Sequence, residues 1–304
     1  MPRLFDAYII VDWSASAKPV SGANSIWVGT RARNKDLKFQ FHSLNPRTRL
    51  DARRVIAEII EDRVARGDKV LVGFDFAMGY PDGTATAIGL NTDHRPPWAA
   101  MHDHLSSQTE EREDNSNSRF ALAARLNDAM TQMPHPFWGV PRTKVAATLA
   151  MTKGDFSTPG SLSEHRISEG WIKSQFKANP KSVWQLLGVG SVGSQALLGI
   201  ATVTYLRARI PGSKLWPFET GFQVLSEKML ADTPCVFAEI YPSTVAVTPN
   251  SDEILDEAQV RTLSERLESL DSVGELASAF GPPNSLSSRE IHKITAEEGW
   301  ILAK

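Results

Sequence analysis

The order in which the chain changes its apolar pattern most limits its fold. Three β-rich runs, AYIIVDW (7 to 13), SIWVGTRA (25 to 32) and LKFQFHSL (37 to 44), are separated by turn-forming Ser, Gly, Asn, Lys and Asp, as in an antiparallel meander. TRLDARRVIAEIIEDRVARGD then carries apolar residues at helical spacing (Leu50, Val55, Ile59, Ile60, Val64), stops at Gly67 and leads into KVLVGFDFA, a further strand. A meander gives way to βα alternation. With 304 residues, 41% of them hydrophobic, the chain can bury the core of one large domain or of one domain carrying an insertion.

Beyond a long irregular stretch from about 82 to 180, SQALLGIATVTYLRAR predicts a helix, LWPFET and CVFAEIY predict strands, and DEAQVRTLSERLESL predicts a second helix. Three hairpin strands followed by βα units is the order of a ribonuclease-H-like α/β domain with a mixed sheet. The expected division is a core of 1–81 and 181–304, with 82–180 as an insertion or lid region.

Charge and cysteine content exclude several roles. Lys and Arg total 33 against 35 Asp and Glu, so a net charge of −2 gives no global attraction to nucleic acid or anionic lipid. Any phosphate-binding surface must be local. The single cysteine, Cys235, has no partner for a disulfide or a CxxC metal site, which fits a reducing cytoplasm. MPRLFDAYII lacks the long apolar stretch and cleavage site of a signal peptide, and no window reaches the roughly 18 apolar residues of a membrane span. Neither secretion nor membrane spanning is expected.

Three apolar strands end on or next to an acid: Asp12, Asp75 and Glu239. A buried carboxylate costs several kcal/mol unless a cation, a metal or hydrogen-bond donors meet it. The motifs VDWSAS, GFDFAMGYP, AEIYPS and EEGWIL resemble those of a poorly characterised bacterial family predicted to have the ribonuclease-H-like fold. NSRFALAARLN, PFWGVP, SVWQLLGVGSVGSQALLGI and LWPFETGF are similar to its longer members, so the likeness covers most of the chain. In ribonuclease-H-like nucleases, carboxylates from the first strand, a central strand and a C-terminal helix converge on divalent metals. The resemblance therefore implies Asp12, Asp75 and Glu239 as ligands for Mg²⁺ or Mn²⁺, with Asp256 as a further catalytic acid and Asp271 as its substitute. The structural alternative is that Asp75 caps the turn before MGYP, Asp256 caps a helix and Glu239 pairs with an arginine.

Candidates for phosphate or cofactor binding are more scattered. In DWSASAKP, Ser14, Ser16 and Lys18 occupy the position of the phosphate-wrapping hairpin of actin-like ATPases, but the segment lacks that hairpin's glycines and is also a plausible solvated turn. GVGSVG (188 to 193) matches G-x-G-x-x-G without the acid about twenty residues on that a dinucleotide site needs; Gly190, Ser191 and Gly193 instead offer helix N-terminal amides to a phosphate. Arg119, near Asn127 on an amphipathic helix, and Arg166, beside Glu164, suit bidentate anion binding, with a salt bridge as the alternative for Arg166. His94, His102 and His104, with Asp93 and Asp103, read as a mobile polar lid rather than a zinc site, and NPRTRLDARR reads as a solvated helix face. The expected function is a metal-dependent phosphoester hydrolase of nuclease type, acting on a phosphate-containing small molecule or nucleic acid. The alternatives are a non-catalytic nucleotide- or ligand-binding protein and an actin-like phosphotransferase.

Overall fold

The computed structural model describes residues 3–176, 178–188 and 190–303. Its centre is a mixed sheet of seven strands: β1 (Ala7–Asp12), β2 (Trp27–Arg33), β3 (Phe39–Leu44), β4 (Val70–Phe74), β5 (Lys214–Leu215), β6 (Cys235–Ile240) and β7 (Ile301–Leu302). The spatial order is β3-β2-β1-β4-β6-β5, with β7 continuing the edge that β5 begins along β6. β2 runs antiparallel to both its neighbours, and the pairings of β1 with β4 and of β4 with β6 are parallel. The antiparallel meander and the parallel half are thus both present.

Helices α1 (Arg49–Ala65), α2 (Thr84–Ala87), α3 (Pro97–Gln108), α4 (Arg119–Thr131), α5 (Ile167–Phe176), α6 (Val192–Arg209), α7 (Leu255–Ser272), α8 (Leu276–Ala279) and α9 (Ser288–Lys293) complete the chain. Strand alternation divides the core between the faces of the sheet. Ile9, Val11, Val72 and Phe74 pack with Ile56 and Ile60 of α1 and Val203 of α6. Tyr8, Ile10, Leu71 and Ile240 pack with Val260, Leu263 and Leu267 of α7. Burial on both faces explains why β1, β4 and β6 read as continuous apolar runs. No described helix is long and apolar enough to cross a membrane.

One expected strand is largely absent. LWPFET contributes only Leu215 to β5, because Pro217 has no N–H for a ladder. SVWQLL forms a turn in which the Ser182 hydroxyl accepts the Trp184 amide at 3.2 Å, leaving Gln185 in one isolated bridge to Trp138.

Residues 82–180 share a third apolar cluster with the chain on either side of them: Leu122 and Phe137 meet Tyr80, Trp184, and Leu197 and Ile200 of α6. Residues 97–105, expected within a mobile lid, instead form most of α3 and bury Trp98, Met101 and Leu105. His102 is also buried, its Nε2 2.7 Å from the Met78 carbonyl, so it does not face His104 as a metal partner.

Candidate active site

A cleft of about 660 Å³ opens at the carboxyl ends of β1 and β4. From β1 the chain turns to one side of the sheet and from β4 to the other, a topological switch point of the kind where open α/β sheets bind ligands. Asp12 ends β1, and Asp75 follows the last β4 residue, Phe74, whose register partner is Val11. The backbone holds the two acids together: the Asp75 amide donates to the Val11 carbonyl at 3.3 Å, and the Trp13 amide donates to Asp75 Oδ1 at 2.7 Å. Their carboxyl groups lie within hydrogen-bonding reach of each other.

Burial raises both acids above the ordinary carboxylate range. For Asp12 the neighbouring Asp75 and Asp256 charges add to desolvation, whereas Asp75, pushed up to about 7, is partly held down by the Trp13 amide. The pair therefore holds a proton to higher pH than either acid would alone. Asp256 lies in the first turn of α7, not at its cap, which is Ile254. Its Oδ2 accepts the Asn24 amide at 2.6 Å, and it lines the same cleft.

Glu239 does not join them. It pairs in register with Phe74, one residue short of the strand end, and so shares the parity of Phe237 on the face opposite α7. There it forms a fork with Arg166, Nη1 to Oε2 at 2.8 Å and Nη2 to Oε1 at 2.6 Å, and Oε2 also accepts the Met78 amide at 3.0 Å. Arg166 spends its remaining donors on Glu169 and on the Glu298 carbonyl. The metal ligand and the anion-binding arginine expected from sequence are thus one buried ion pair outside the cleft. Asp271 is likewise structural, accepting the Leu4 and Phe5 amides at 2.9 Å and the Tyr8 hydroxyl at 2.7 Å. Among the described residues, no group of three or more His, Cys, Asp or Glu side chains is arranged to hold a metal by itself.

The anion-binding candidates separate in the same way. Ser14, Gly190, Ser191 and Arg119 line the cleft; Lys18 is exposed and does not. The Gly193 amide is already spent on the Gln185 carbonyl at 2.9 Å, and a Cβ there would meet the Val183 carbonyl oxygen at 2.4 Å. That glycine serves close packing. Arg119 Nη1 donates to Asn117 Oδ1 at 2.9 Å, its Nε has no acceptor, and burial beside Arg49 brings its guanidinium down to about 10.

Sequence patterning missed Arg49, counted with a solvated helix face. It is fully buried, donates to the Ser14 and Ser16 carbonyls at 3.0 and 2.6 Å, and pairs with Glu111, so it shapes the loop after Asp12. Its place directly after the Thr48 cap was the available signal, since the first turn of a helix faces back toward preceding chain. Gln195, which donates to the Trp13 carbonyl, was missed as well. No known protein family, curated protein or solved structure matches the chain. Its likeness to a bacterial family therefore rests on the motifs alone.

Proposed function

We propose that the cleft is the active site of a divalent-metal-dependent phosphoester hydrolase of nuclease type, on a ribonuclease-H-like fold. The order β1–β3, α1, β4, α6, β6, α7 supports the fold reading. The Asp12–Asp75 pair carries the chemical one. Two half-buried carboxylates at the ends of adjacent strands face each other across the cleft with a third beside them, and the charges acting most strongly on Asp12 are those of the other two acids. Such a pair is costly to the fold unless a proton or a cation is shared between them.

Oxygen donors of this kind fit Mg²⁺ or Mn²⁺, and Mg²⁺ is commonly held by one or two carboxylates, with water and phosphate oxygens filling the other positions. Asp12 and Asp75 would hold the ion. When bound, it supplies polarisation of the phosphoryl group and a more acidic water. Asp256, on the same cleft, would be the carboxylate left to accept a proton from an attacking water, whose oxygen would bond to phosphorus as the ester P–O bond breaks. The leaving oxygen takes its proton from solvent.

Commitment of Glu239 to Arg166 favours the second reading, a ligand-binding protein that keeps the cleft without catalysis. Thermal melts with and without Mn²⁺, paired with phosphoesterase assays, separate the readings. The hydrolase reading expects a Mn²⁺-dependent rise in melting temperature and hydrolysis that both vanish in Asp12→Asn. A metal shift without hydrolysis of any ester supports the binder; no shift in the unaltered protein overturns the metal site.

A further inference from the structure

We infer that Arg119 anchors a terminal phosphate, so that the substrate is a small phosphorylated molecule of about mononucleotide size rather than a nucleic-acid polymer. The inference rests on the hydrolase reading for its chemistry, but the arginine's surroundings support it separately. Arg119 is only 9% exposed, its side chain donates to Asn117, and it forms no ion pair among the described residues. Glu111, the acid whose charge acts on Arg119, is already paired with Arg49, whose own guanidinium repels that of Arg119. Phe120 packs on the guanidinium, 4.4 Å from its carbon to the ring centroid, Nη1 donates to Asn117 Oδ1, and the buried Nε has no acceptor. A buried cation without a counter-charge is costly, so its position on a cleft wall is explained if an anion arrives there.

The nature of that anion follows from the remaining walls. Arg119 is the only cation among the described residues that line the cleft, against Asp12, Asp75 and Asp256. Polymeric nucleic acid is held by several Lys or Arg contacts along its backbone, and one cation among three acids is too few. A single terminal phosphate needs one bidentate arginine together with the proposed metal. Leu187, Val192, Tyr241 and Pro242 give uncharged surface for the rest of the molecule, and about 660 Å³ falls within the range of small-ligand sites.

The test compares the unaltered protein, Arg119→Met and Arg119→Lys. Calorimetric titration with inorganic phosphate is run with and without Mg²⁺, beside hydrolysis of p-nitrophenyl phosphate and bis(p-nitrophenyl) phosphate. Phosphate affinity and monoester kcat/KM should fall at least about tenfold in Arg119→Met and less in Arg119→Lys, with the Mg²⁺-dependent melting shift kept in both. If Arg119→Met does not fold, the lysine variant decides, since it keeps the charge and loses the fork. Equal phosphate affinity in all folded proteins, no phosphate binding by the unaltered protein, or a tenfold preference for the diester overturns the inference. A missing Mg²⁺ shift overturns the metal site alone, because arginine-dependent phosphate binding is still read in metal-free buffer.

Discussion

Asp75 Oδ1 accepts the backbone amide of Trp13 at 2.7 Å, so the residue that follows Asp12 fixes the position of Asp12's own carboxyl partner. The approach of the two acids is set by main chain on adjacent parallel strands. Replacing either side chain leaves the register intact, which makes isosteric variants clean probes of the charge.

Stability should carry the signature of that pair. An acid with a raised folded pKa contributes stability that is fully present below its unfolded pKa and is lost as pH rises through the folded one. For Asp75 the window runs from 3.8 to about 7. Between pH 5 and pH 8 the unaltered protein should lose roughly 2 to 3 kcal/mol more than Asp75→Asn, in denaturant melts at both pH values. Glu297, also raised to about 7, cancels because both proteins contain it. Identical pH slopes would remove the proposed proton sharing.

Glu239→Gln should behave as a core defect and not as loss of a ligand. It leaves Arg166 fully buried with less countercharge, at a cost of about 3 to 5 kcal/mol. The Mn²⁺-dependent melting shift should persist in whatever fraction folds. A well-folded variant without the shift would return Glu239 to the metal site.

Gly193→Ala should destabilise by about 1 to 3 kcal/mol, since its Cβ would meet the carbonyl oxygens of Val183 and Gln185 at 2.4 and 2.8 Å. Calorimetry with NAD should show no binding to the unaltered protein. Micromolar affinity for NAD would restore a dinucleotide role to the segment.

Arg49→Met should release the loop after Asp12. The carbonyls of Ser14 and Ser16 lose their donor and Glu111 loses its partner, so proteolysis between residues 14 and 24 should accelerate. Unchanged cleavage there would show that the loop is held by its own turns.

The central strands and α7 were legible because uninterrupted apolar runs and helical spacing are signals that burial on two faces produces directly. Asp12 and Asp75 were legible as acids interrupting such runs. What set Glu239 apart was parity: one residue of offset at a strand end reverses the face, and an apolar run ending in an acid looks the same from either side. Arg49 was illegible as a buried cation because Glu111 lies 62 residues away in the chain; Arg166 has a local partner in Glu169, but Glu239, which ties it to the central sheet, lies 73 residues away.

Those two arginines also decide how separable the insertion is. Near one end of the segment Glu111 and Asn115 clasp Arg49 of the core; near the other Arg166 is clasped by Glu239 and the Glu298 carbonyl. Excising residues 82–180 would therefore leave the Arg49 guanidinium at α1 and the Glu239 carboxylate on the central sheet without their counter-charges, both in the interior. The segment is not a detachable accessory, and a shortened chain is expected to lose its solubility before it reveals anything about the cleft. Substitution within the full chain is the workable route to dissecting it.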